Sequence, residues 1–162
     1  MTSSSGRRPR ALSTAIRLLN AIPYSVVAII ARLATFSVFF RSGTQKLSDW
    51  HATLMLFQNE YHIPILPPDV AAYLAAGLEL SCSVMILFGL VTRFATILLF
   101  GMIAVIQVFI YPSAWPDHIQ YVAFMTIIIA RGPGVLSLDE VFCRLFGAST
   151  GLPGEPGGTK RI

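Results

Sequence analysis

The sequence predicts an all-α membrane protein: a bundle of four transmembrane helices with both termini in the cytoplasm. A short amphipathic segment is expected ahead of the bundle and a short cytoplasmic helix after it. Three observations carry this prediction. Hydrophobic residues make up 54% of the chain and charged residues only 12%, with a mean hydropathy of +0.67, whereas soluble domains carry about 25% charged residues. The apolar residues gather into four separate stretches, most of them near the roughly 20 residues that a bilayer crossing requires. Lysine and arginine fall at the ends of those stretches, and mainly on one side of them.

In chain order, residues 1–10 (MTSSSGRRPR) read as a disordered basic tail, and residues 11–20 as a mildly amphipathic stretch lying on the membrane surface. Residues 1–21 therefore stand apart from a membrane domain spanning 22–131. Pro23 permits a helix start, and the first crossing runs over 24–46. Residues 51–68 form a polar and aromatic connection, and Pro67-Pro68 opens the second crossing, 70–90. Thr92-Arg93 makes a tight turn into the third, 94–111, which Pro112 stops. The fourth, 115–130, is the shortest and must be shielded by neighbours or met by a thinned bilayer.

A Gly/Pro break after Arg131 and a Ser137-to-Glu140 capping-box pattern predict a short helix within 132–147, with Val141, Phe142, Leu145 and Phe146 on its apolar side. The Gly/Pro-rich residues 148–162 are expected to be a disordered tail.

Charge sets the orientation. With the N-terminus inside, the cytoplasmic side carries Arg7, Arg8, Arg10, Arg17, Arg93, Arg131, Arg144, Lys160 and Arg161. The outer side carries Lys46 with Asp49, Glu60, Asp69 and Asp117. A cleaved signal peptide would also begin with a basic stretch before an apolar one, but this apolar run is too long and no small-residue cleavage site follows it. The net charge of +4 does not indicate a nucleic-acid partner, because the basic residues are scattered and no nucleic-acid motif accompanies them. Phosphate-loop, haem-attachment and nucleophile-elbow motifs are also absent from the sequence.

Ionisable residues inside the crossings are the candidate site. Arg32, Phe36, Phe39, Gly43 and Lys46 recur at spacings of 4, 3, 4 and 3 and form one helical stripe, with Arg41 on the opposite side. The second crossing carries a matching stripe of Ala72, Ala75, Ala76, Glu79, Cys82 and Ser83. Small residues allow close helix approach in lipid, so Glu79 is expected to face the bundle interior. Counting from the cytoplasmic ends puts Arg32 roughly 12 Å and Glu79 roughly 16 Å deep, which predicts an Arg32–Glu79 ion pair. The pair would serve function or simply lock two helices together.

Gln107 is expected either to hydrogen-bond to that pair or to join helices. His51, His62 and His118 map to the outer side near acidic residues and are candidate metal donors, although their spacing matches no metal signature; loop or interface histidines are the preferred reading. Cys82 and Cys143 lie too far apart for a disulfide. Trp50, Tyr61, Tyr111, Trp115 and Tyr121 read as an outer aromatic belt.

These motifs resemble the DoxX family. The resemblance rests on Arg32, thirteen intervening residues and Lys46 in RLATFSVFFRSGTQKL, on Glu79 in AAYLAAGLEL, on LFGLVTRFATILL at 87–99 and on RGPGVLSLDE at 131–140. It covers about residues 32–139. Phe36 departs from the pattern, standing where many members carry a glycine that allows close packing. FFRSGTQKLSDW and FIYPSAWPDHIQY are similar to a branch found in bufferin-like metal-stress operons, a setting associated with copper.

The resemblance implies a multi-pass protein of the bacterial inner membrane, acting as an auxiliary component of redox or metal-stress physiology alongside protein partners of that kind. Arg32, Lys46 and Glu79 would then line a polar pocket able to hold a quinone head group, with Arg32 or Lys46 donating to a carbonyl oxygen and Glu79 exchanging a proton. Any catalysis would be that of a subunit in a quinone-linked oxidoreductase, because the chain has no redox-cofactor motif of its own. The alternatives are a non-catalytic scaffold for partner docking, and a copper-stress component using outward histidines and carboxylates.

Overall fold

The computed structural model describes residues 21–61 and 66–145, and every regular element among them is helical. Helix α1 (Tyr24–Ser48) is followed by α2 (Trp50–Asn59), α3 (Pro68–Phe88) and α4 (Thr92–Val105). A π turn (Ile106–Ile110) extends α4, and a 3-10 turn (Pro112–Ala114) leads into α5 (Trp115–Arg131) and then α6 (Leu138–Leu145). The expected surface segment at 11–20 and the tail at 148–162 lie outside the described residues.

Among the described residues three helical runs are long and apolar enough to cross a membrane: Tyr24–Ser48, Pro68–Phe88 and Thr92–Ile110. Helix α5, with 17 residues, is shorter than these and packs against α1 and α4. The outer surface carries large apolar side chains such as Ile30, Leu33, Tyr73, Phe94, Ile97 and Val108. Small and hydroxylated residues, including Ala28, Thr35, Gly43, Ala72, Ala76, Ser83 and Thr96, are buried instead. That distribution is the one expected of helices packed in lipid. The buried hydroxyls stay within their own helices: Thr35 Oγ1 donates to the Ala31 carbonyl at 2.8 Å and Thr96 Oγ1 to that of Thr92 at 2.7 Å.

Helices α1 and α3 are held closest at Gly43. A Cβ there would lie 2.7 Å from Leu80 Cγ and 3.2 Å from Glu79 Cβ, so only glycine permits the approach. Phe36, the departure from the family pattern, stacks on Phe40 with centroids 4.8 Å apart, and α1 runs through it unbroken.

The 51–68 connection contains an additional helix. Asp49 caps α2 by accepting from the Ala52 amide at 2.9 Å, and Phe57 packs with Ala71 and Ala72 of α3. Trp50, Leu54, Phe57 and Tyr61 repeat at helical spacing, a signal that the nearby prolines and polar residues obscure.

The turn between α3 and α4 is capped from both sides. Gly89 has a left-handed φ of 72°, which glycine adopts freely. Arg32 Nε donates to the Ile86 carbonyl at 2.9 Å, Nη2 donates to that of Leu87, and Nη1 donates to Leu136 at 2.7 Å and Pro133 at 3.3 Å. The guanidinium thus shares the Ile86 carbonyl with the Gly89 amide and supplies a donor to that of Leu87 at the C-terminus of α3. Opposite it, the Asp139 carboxylate accepts from the amides of Val91 at 2.6 Å and Thr92 at 2.9 Å and from Thr92 Oγ1 at 2.7 Å. A negative charge at the start of α4 also suits the helix dipole. Ser137 Oγ accepts from the Glu140 amide at 3.3 Å, capping α6 as its sequence pattern predicts.

Three substitutions test stability. Asp139→Ala strips partners from two amides and leaves β-branched Val91 holding φ 44° without support; it should cost about 2–3 kcal/mol, read as a lowered Tm in detergent. Gly43→Val should cost about 1–3 kcal/mol by forcing α1 from α3. Gly77→Ala, at a site with nothing within 4 Å, should leave Tm unchanged or raise it.

Candidate functional site

Glu79 sits on the small-residue face of α3, its side chain 4% exposed. Lys46 reaches it from the last turn of α1, with Nζ 2.8 Å from both carboxylate oxygens. Ser42, one turn earlier on the same face of α1, donates to Glu79 Oε1 at 3.1 Å and accepts from Lys46 Nζ at 2.9 Å. The three side chains close a ring of hydrogen bonds in which all three lysine protons are used. An isolated buried carboxylate would be costly, and this arrangement supplies both a countercharge and hydrogen bonds.

The expected Arg32–Glu79 pair does not form. Contact between Gly43 and the Glu79–Leu80 pair sets Arg32 eleven residues, about 16 Å of helix, away from Glu79. The depth estimate placed Tyr24 and Leu90 at one level, whereas the bonds from Arg32 to Ile86 and Leu87 show that the end of α3 is level with Arg32. That difference is eight residues of α1, about 12 Å. Lys46 takes the carboxylate and Arg32 is occupied by carbonyls.

The Lys46–Ser42–Glu79 ring forms part of the wall of a partly open cavity of about 1000 Å³. Phe39, Leu78, Leu98, Met102 and Ile106 make much of it apolar, while Tyr61, Tyr111, His118 and Tyr121 add polar atoms around the wall. The form resembles that of small-molecule sites: an apolar volume with a few placed polar groups.

Gln107 belongs to a second polar pair. It lies in the π turn, a local widening that is often found at functional positions. Its Nε2 donates to the Pro112 carbonyl at 2.8 Å and its Oε1 lies 2.6 Å from His118 Nδ1. A carbonyl only accepts, so the amide orientation is determined and Nδ1 must carry the proton. In the singly protonated ring that leaves Nε2 as the acceptor. Gln107 joins α4 to α5 through this contact and does not reach Glu79.

His51 is exposed on α2, and His62 lies outside the described residues. Among the described residues no three His, Cys, Asp or Glu side chains converge as a metal site would require. Cys82 and Cys143 are both free thiols. The expected aromatic belt divides: Trp115 is exposed, but Tyr61 and Tyr121 turn to the cavity. Burial, and then the hydrogen bond with Tyr111, pushes the Tyr61 phenol well above its ordinary range, so it is neutral at physiological pH. Ser42 and Tyr61 were not singled out in sequence as site residues; the i, i+4 spacing of Ser42 and Lys46 is the signal that could have found the first.

Comparison with known proteins identifies the family. An uncharacterised protein of Haemophilus influenzae is 27% identical over 140 residues, covering 79% of this chain and 91% of the relative. No solved structure matches. The DoxX family model matches residues 27–112, more than half of the chain and the stretch that holds Arg32, Lys46, Glu79 and Gln107. With its apolar helices and that match, the chain is a membrane protein of the DoxX family.

Proposed function

We propose that the protein is a four-span component of the bacterial inner membrane, serving redox or metal-stress physiology by holding a quinone-like head group in the cavity beside Glu79. One observation carries this reading: a hydrogen-bonded lysine and carboxylate at the wall of a largely apolar cavity. Lys46 Nζ donates to a ligand carbonyl by exchanging its bond to Ser42. Glu79 is the group positioned to pass the proton that accompanies an electron, and His118 Nε2 accepts from a ligand hydroxyl. Electrons come from a partner, which makes the chain a subunit of a quinone-linked oxidoreductase if catalysis occurs.

Helix α5 acts as the fourth crossing: its 17 residues span about 26 Å, and the 3-10 turn before it lengthens the reach. Gathering of Arg93, Arg131 and Arg144 near the α3–α4 turn, with Asp49, Glu60, Asp69 and Asp117 toward the other end, supports cytoplasmic termini. Native Cys143 should then react with an impermeant maleimide only after the inner membrane is opened. Gln58→Cys in a Cys143→Ser background should react in intact spheroplasts; the reverse pattern inverts the topology.

A scaffold role is the second reading, favoured by the mutual neutralisation of Lys46 and Glu79 without any ligand. Metal binding through His51, His62 and His118 has less support, because among the described residues no three His, Cys, Asp or Glu side chains converge. Titration of the purified protein with decylubiquinone, followed by fluorescence, separates the first two. Lys46→Met and Glu79→Gln should each destabilise by stranding a buried partner, whereas the double variant restores Tm but binds at least about tenfold more weakly, the loss of one charge-assisted hydrogen bond. Unchanged affinity in the folded double variant rejects the ligand site in favour of the scaffold.

A further inference from the structure

At the end of the bundle opposite Lys46, the Arg93 guanidinium lies beside Gly132 and that of Arg131 over the Tyr24 ring. Arg93 Nη2 lies 3.4 Å and Nε 3.7 Å from where a Cβ on Gly132 would project, ordinary contact distances, and the glycine holds φ 81°. Arg131 lies over the Tyr24 ring, with Cζ 5.6 Å from the centroid. The ring is held in place because Tyr24 Oη donates to the Gly132 carbonyl at 2.6 Å. Both cations lie close enough to act electrostatically on that phenol.

Among the described residues the other cations near this end are accounted for. Arg32 is bound by four carbonyls, and Arg144 pairs with Glu140 at 3.0 Å. Asp139, the nearby acid, is committed to the start of α4. Among the described residues neither Arg93 nor Arg131 has a carboxylate partner or a hydrogen-bonded acceptor.

A groove of about 350 Å³, lined in part by Arg131, runs between the start of α1 and the end of α5. Ile22, Val27 and Ile127 form its apolar walls, and Tyr24 and Arg131 form its upper rim. Ile22 and Val27 remain 52% and 39% exposed. A cation at an exposed apolar groove, beside the start of the membrane-length α1, is complementary to a lipid that carries a negative head above an acyl chain.

We infer that this groove is a binding site for an anionic phospholipid, whose phosphodiester is held by Arg131 at the groove, with the Arg93 charge nearby beside Gly132, while one acyl chain lies between α1 and α5. Arginine suits the role because its planar donors match phosphate oxygens in pairs. Basic pockets between helices at a membrane face recognise anionic head groups in this manner. The site is separate from the Glu79 cavity and does not depend on what that cavity holds.

Native mass spectrometry of the full chain, released from micelles holding equal palmitoyl-oleoyl phosphatidylglycerol and phosphatidylcholine, tests the assignment. The wild type should retain phosphatidylglycerol in preference by roughly thirtyfold, about fivefold for each cation. Arg93→Gln with Arg131→Gln should abolish that preference. Arg144→Gln removes one charge from the same end and should leave it intact. An equal loss in Arg144→Gln would reduce the effect to surface potential and overturn the site. The absence of any preference in the wild type would overturn it without recourse to a variant.

Discussion

The register of α1 against α3 is the constraint on which the rest of the structure depends. Gly43 lets the two backbones meet at Glu79 and Leu80, and with the helices antiparallel every other level is then determined. Lys46 and Ser42 fall beside Glu79, and Arg32 falls beside the last turn of α3. A side chain at residue 43 would disturb the polar cavity and the capped turn together, although the two lie at opposite ends of the same helix pair.

Two buried charges are accommodated in different ways. The carboxylate of Glu79 meets a full countercharge and a hydroxyl, which leaves a compact polar group at a cavity wall. The guanidinium of Arg32 meets the carbonyl ends of α3 and of the 133–136 segment, where helix-terminal dipoles and open acceptors substitute for an anion. The first arrangement can exchange a hydrogen bond with a ligand at modest cost. The second joins three segments of chain and uses four of the five guanidinium N–H groups, so Arg32 is an architectural residue.

Asp139 complements Arg32 across the same turn. Together they explain why RGPGVLSLDE, far from Arg32 in sequence, accompanies it: one supplies carbonyls to the arginine and a carboxylate to α4, while Gly89 supplies the left-handed turn they enclose. The motifs that carry the family resemblance are thus largely the parts of one turn, and Lys46 with Glu79 stands apart as the pair that faces open volume.

The sequence by itself determined the helical class, the apolar crossings, the cap of α6 and the burial of Glu79 on a small-residue face, because each depends on local periodicity or on the cost of a charge in lipid. It also marked Arg32, Lys46, Glu79 and Gln107 as the polar residues of interest. Tertiary structure decided their partners. Pairing depends on the axial offset between helices, and a shift of about 12 Å is invisible to a count of residues from each helix end. The same offset gave Lys46 the place expected of Arg32, and the π turn bonded Gln107 to His118. The cavity belongs to no single helix: α1, α3, α4 and α5 each contribute one wall, so its volume exists only once they are packed.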